Sequence, residues 1–268
     1  MADGTRSARS GSDWTMKELL DYNIKITLES PDTFYGKPLP TVESLCTLDP
    51  HLFSGTFETQ GLSDETYRVL QYLYLASEPN LGQDSAIHDF AKEIMRVLGY
   101  ENRDRILRSR YAIPLLTCYD QNQAQTDMCL VHKSSTIVLI VKEEHDLISH
   151  SSEAQAIAGA IAAFQMNNRT RMRFSRPELD SMTVPCIMMV ATRPTFYLVP
   201  VTQELSDAVA RGQYPLSRTV VKKCVVPSIS IRMDQCMDNL DYRQLALRHL
   251  AAFHALAEAH WSSFLFSQ

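Results

Sequence analysis

From residue 63 onward the apolar positions fall into two periods, one near 3.6 and one extended. Ser63-Asp64-Glu65-Thr66 opens a helix: Ser63 can cap it and the two acids favour its positive end. Tyr67, Leu70, Tyr74 and Leu75 continue it. A second helix is expected over Ala86–Leu98, with Ile87, Phe90, Ala91, Ile94, Met95, Val97 and Leu98 apolar and Gly99 ending it. Three strands follow, Ala112 to Tyr119 (extending back toward Leu107), Asp127 to Val131 and Ile137 to Val141. Pro114 marks the first as an edge or bent strand, and His132–Thr136 reads as a hairpin loop between the other two. Next come a helix Glu153–Asn167, strands Val184–Val190 and Thr195–Val199, a helix starting at Thr202, a strand Val220–Val226 and a helix from about Asp241 to Phe264. Upstream, Asp13 caps a short helix through Tyr22, Ile24–Leu28 is a strand, and the chain from Asn23 to Leu48, carrying Pro31, Pro38 and Pro40, is otherwise irregular.

This order predicts an α/β (α+β) fold, a mixed central sheet flanked by helices. Residues 1–13 are expected to be a disordered tail. The remainder, 14–268, reads as one domain with its core at about 84–212 and helical additions at both ends.

Composition narrows the picture little. The chain of 268 residues is 45% hydrophobic and 21% charged, with net charge −5, which argues against broad adhesion to nucleic acid or anionic membrane while leaving room for a local basic patch. Six cysteines form no CxxC pair and no zinc-spaced set, which suggests a reducing compartment. The polar N-terminus and the lack of a long apolar run predict an intracellular protein, cytoplasmic or nuclear, with no signal peptide or membrane span. No glycine-rich phosphate loop and no GxSxG is present.

The candidate chemistry lies around the hairpin. Glu143 and His145 are two apart, so alternation puts both on one strand face, with Lys142 and Glu144 on the other. A five-residue loop sets Asp127 opposite Val141 and on the face of Glu143, diagonally at ~7–8 Å. A four-residue loop sends Asp127 to the face of Lys142 and Glu144 instead. Two carboxylates on one face can hold a hard divalent cation. Glu93, beside the apolar stripe of the second helix, and Gln155, near the start of the helix after the hairpin, are the next candidates.

The order helix with Glu, strand, strand with Asp, strand with Glu-x-basic, then a helix with Gln resembles the α-β-β-β-α-β core of the PD-(D/E)XK nuclease-like superfamily. More narrowly, the segment from about Ala112 to Gly212 is similar to a group of fungal proteins with that restriction-endonuclease-like fold. The residues that carry the likeness are Gln125-Thr126-Asp127-Met128-Cys129-Leu130, Leu139-Ile140-Val141-Lys142-Glu143-Glu144-His145, Glu153-Ala154-Gln155, Thr192-Arg193-Pro194-Thr195-Phe196-Tyr197 and Pro200-Val201-Thr202-Gln203-Glu204-Leu205. The resemblance implies a phosphodiester hydrolase acting on nucleic acid, with Mg²⁺ or Mn²⁺ held by Asp127 and Glu143 and with Glu93 and Gln155 assisting. His145 stands where the superfamily has a lysine. It can act as base or metal ligand, or mark a site that has lost catalysis. The alternative is a non-catalytic binding or scaffold protein that keeps the fold.

The run Asn167–Arg176 is densely basic, and Arg169, Arg171 and Arg173 are candidate phosphate contacts, with Phe174 able to stack on a base. His249, His254 and His260 on the last helix lack metal-ligand spacing, and the apolar stripe there reads as core, with a homodimer face as the other use.

Overall fold

The computed structural model describes residues 8–77, 85–133, 135–144, 151–227 and 236–265. Thr15, not Asp13, caps the first helix, α1 (Met16–Asp21), through a capping box with Glu18. Strand β1 (Ile24–Leu28) follows as expected, but Ser30 and Pro31 then start a short helix, α2 (Pro31–Tyr35), inside the segment expected to be irregular. A further short turn of helix is α3 (His51–Ser54). Ser63 does accept the Thr66 N–H at the start of α4 (Asp64–Ser77), and α5 is Ser85–Val97.

The chain then runs through β2 (Arg105–Thr117), β3 (Asp120–His132), β4 (Thr136–Glu144), α6 (Ser152–Arg173), β5 (Ser181–Val190), β6 (Arg193–Thr202), α7 (Gln203–Arg211), β7 (Thr219–Val225) and α8 (Leu240–Leu265). The expected order α-β-β-β-α-β is therefore present from α5 to β5. The seven strands form one mixed sheet in the order β1-β7-β6-β5-β4-β3-β2, with β1 parallel to β7 and β4 parallel to β5. Pro114 lies on the edge strand β2, where a missing donor costs least.

Helices cover both faces. Successive residues of β6 show this: Phe196 packs against Phe253 and His249 of α8, while Tyr197 donates to Glu153 of α6. Because both faces are covered, Ile137 to Val141 are all buried and β4 shows no polar alternation. Gly159 brings α6 close to the sheet; a Cβ there would sit 3.4 Å from Ile140. Within the segment expected to be a disordered tail, Gly11–Asp13 form a helical turn in which Gly11 is buried, and a Cβ on it would clash with Ala124 of β3 at 2.6 Å. Among the described residues no helix is long and apolar enough to cross a membrane.

Three amide side chains fasten α6 by imitating a strand neighbour. Gln165 accepts from the Leu116 N–H and donates to its carbonyl, Asn167 does the same for Ile137, and Asn168 for Leu179. The Ile137 pair is fully buried, and each backbone group left unpaired there costs about 1–3 kcal/mol. Asn167→Leu, which keeps the volume but removes both hydrogen bonds, is expected to lower unfolding free energy by about 2–4 kcal/mol in urea titrations. Asn168→Ala, whose partners are only part-buried, is expected to cost less.

Candidate functional site

The β3–β4 hairpin decides where the two acids point. At its turn His132 pairs with Thr136 and Val131 with Ile137, the register that a five-residue loop requires. One step further the register shifts: Leu130 pairs with Leu139, so Val138 is an extra residue in β4. Met128 then meets Val141, and Asp127 falls opposite Lys142 instead of Val141. A bulge, not the loop, thus carries Asp127 away from the face of Glu143. Opposite it on β2, Arg110 sits in the left-handed region at φ +49° and interrupts the ladder.

The contacts agree with the register. Lys142 Nζ lies 2.9 Å from Asp127 Oδ2, and the same oxygen accepts the Glu143 backbone N–H at 2.8 Å. Glu144, on the face of Lys142, accepts from the Ser152 hydroxyl at the start of α6. Glu143 turns the other way, to α5. Its carboxylate meets His88 Nδ1 at 2.9 and 3.2 Å, and His88 Nε2 meets Ser109 Oγ at 3.0 Å. The bond from Glu143 raises the His88 pKa above its ordinary value, against the opposing effect of burial. Asp127 and Glu143 therefore do not fit the expected two-carboxylate cradle for Mg²⁺ or Mn²⁺. They point to opposite sides of the sheet, each beside its own base.

The other candidates are also placed elsewhere. Glu93 is bound by Arg96 at 2.8 Å and by Arg68 of α4 at 2.9 Å, which hold its carboxyl below the usual range; it serves the α4–α5 contact and does not reach Glu143. Gln155 donates to the Ser12 carbonyl at 2.8 Å and pins the N-terminal turn. His145 lies outside the described residues. No family model matches the chain, and no curated protein matches it in sequence.

The arginines lie at the far end of α6. Ser152 and Arg171 are separated by about 28 Å along a helix rising 1.5 Å per residue, so the acids and the basic run do not share a site. Nor do the three arginines converge. Arg171 lines a cavity of 390 Å³ beside the hairpin turn, together with His132, Lys133, Phe174, Arg176 and Leu179. Arg169 lines a different groove that also contains Glu178 and Asp207, and Arg173 is exposed. Among the described residues, no carboxylate lines the first cavity.

Sequence reasoning missed His88, Ser109 and Lys133. His88 flanks the buried stripe Ile87, Phe90, Ala91 and Ile94 of α5, so its position beside the sheet was readable from helical spacing. Ser109 could be placed only with the β2–β3 register, in which it faces Met128.

Two outcomes follow. Calorimetric Mn²⁺ titrations are expected to be the same for the wild type and for Glu143→Gln, because Glu143 is engaged by His88. The stability difference between wild type and Glu143→Gln, from urea unfolding, is expected to be largest below pH 6.5 and to shrink as pH rises. A raised imidazole pKa stabilises only while the ring is protonated in the fold, so the contribution is complete below the unfolded value of 6.5 and is lost through the higher folded value.

Proposed function

We propose that this chain is a binding protein that keeps a nuclease-like sheet and recognises the phosphates of single-stranded nucleic acid through the basic cavity at the hairpin end of α6. The observation that carries this reading is the lining of that cavity: Lys133, Arg171 and Arg176 with an exposed Phe174 and, among the described residues, no opposing carboxylate. Arg171 is held in place by its Nε–H, which donates to the Pro177 carbonyl at 2.7 Å, and its terminal nitrogens remain for a ligand. The end of a helix is its negative pole, so an anion there must be held by side chains, and three cations supply that. Phe174, 68% exposed, offers a stacking platform of the kind that single strands use without reading sequence. The overall charge of −5 limits adhesion elsewhere on the surface.

The acids support the same reading. Asp127 is neutralised by Lys142, and Glu143 is bound to His88, so neither is poised to polarise a phosphodiester through a shared ion.

Fluorescence anisotropy with a labelled dT12 oligonucleotide tests this. Binding at low salt is expected, with log K falling against log salt with a slope of about −2, as three phosphate contacts on a single strand require. Lys133→Glu combined with Arg176→Glu is expected to weaken binding at least tenfold and to flatten the slope. Phe174→Ala is expected to weaken it while leaving the slope in place. Absence of binding at low salt, or an unchanged slope in the double variant, overturns the reading.

A further inference from the structure

We propose that Ser109, His88 and Glu143 form a nucleophilic relay that activates the Ser109 hydroxyl toward small carboxylic esters. The relay lies away from the basic cavity and does not depend on phosphate binding there.

The geometry has the parts that such a relay needs. Ser109 Oγ is 3.0 Å from His88 Nε2, and His88 Nδ1 is 2.9 Å from Glu143. Recognition of this constellation rests on geometry and roles, not on chain order. The carboxylate selects the tautomer: Glu143 accepts the proton on Nδ1, which leaves the Nε2 lone pair facing the serine hydroxyl. Burial is graded in the useful direction. The Glu143 side chain is 9% exposed and His88 19%, while Ser109 is open to solvent on the edge strand. The base is thus shielded and oriented, and the nucleophile is accessible.

Each member is placed by a separate element. Ser109 faces Met128, and Met128 faces Val141, so the register puts Ser109 on the side of the sheet from which Glu143 projects two residues further along β4. His88, in the first turn of α5, bridges the diagonal between them. Ser109 also precedes Arg110, whose φ of +49° interrupts the ladder between β2 and β3 at that point. The charged groups near His88 are Glu143 on β4 and Asp89 and Lys92 on its own helix.

The step balances without an added oxidant or cofactor. Ser109 Oγ attacks the carbonyl carbon of the ester as its proton passes to His88 Nε2. The ester C–O bond then breaks, and the leaving alkoxide takes that proton. Water, deprotonated by the same nitrogen, attacks the acyl-serine to release the acid and restore Ser109. With a fluorophosphonate, the same attack forms a P–O bond and expels fluoride, leaving a stable adduct.

The full chain incubated with a tagged fluorophosphonate at pH 8, then digested for peptide mass spectrometry, tests the proposal. One adduct on Ser109 is expected, with none in Ser109→Ala, a change at an exposed strand position. His88→Gln is expected to label at least tenfold more slowly while melting within a few degrees of the wild type. The wild-type labelling rate is expected to rise with pH through a midpoint above 6.5, and Glu143→Gln is expected to move that midpoint down. A merely structural hydrogen bond would move neither. No adduct on the folded wild type, equal labelling after unfolding in urea, or a wild-type rate in a folded His88→Gln overturns the proposal.

Discussion

One extra residue governs the chemistry of this molecule. Val138, inserted into β4 between the partners of Val131 and Leu130, shifts the hairpin by a single position. A shift of one reverses which face each later side chain occupies. It sets Asp127 against Lys142 and leaves Glu143 free to reach α5. The bulge is stabilised from the helix layer, because Asn167 takes up both backbone groups of Ile137, the residue just before the insertion. Beyond that point Ile140 begins the parallel ladder with Cys186 of β5. The hairpin is thus fixed on two sides, and the separation of the acids is a property of the backbone.

The order of elements was legible in the sequence because the long amphipathic helices and apolar strands have strong periods. The faces of β4 were not. A strand buried on both sides is apolar at every position, so the pattern that would reveal a bulge is missing. The true length of β3 was hidden for a different reason. Its first four residues, Asp120-Gln121-Asn122-Gln123, are polar and read as loop, yet they pair with Pro114 through Thr117 on the edge hairpin. The β2–β3 turn is also unmarked: Cys118 and Tyr119 both adopt positive φ, where Asn-Gly is the usual choice. Their N–H groups donate to the Val209 and Ala210 carbonyls at the end of α7, which offsets the strain.

The candidate site was legible only in part. The motif implied an acid of the preceding helix, Glu93, beside Glu143. The helix contributes His88 and not Glu93, because Arg68 and Arg96 draw Glu93 to the α4 side. The basic run was visible as composition. Its division between two grooves follows from helical geometry, since Arg169 and Arg171 lie about 200° apart around α6.

The outer strand β2 is long and carries Arg105, Arg108, Arg110 and Pro114. An edge strand of 13 residues with no strand neighbour on its outer side among the described residues invites a second chain to add itself to the sheet, although Leu107 and Leu116 already have side-chain partners there. Repulsion between the exposed guanidinium groups of Arg108 and Arg110, the left-handed backbone at Arg110 and a position without a donor all oppose such stacking. The same margin that holds Ser109 open to solvent is thereby kept from seeding fibrous aggregates.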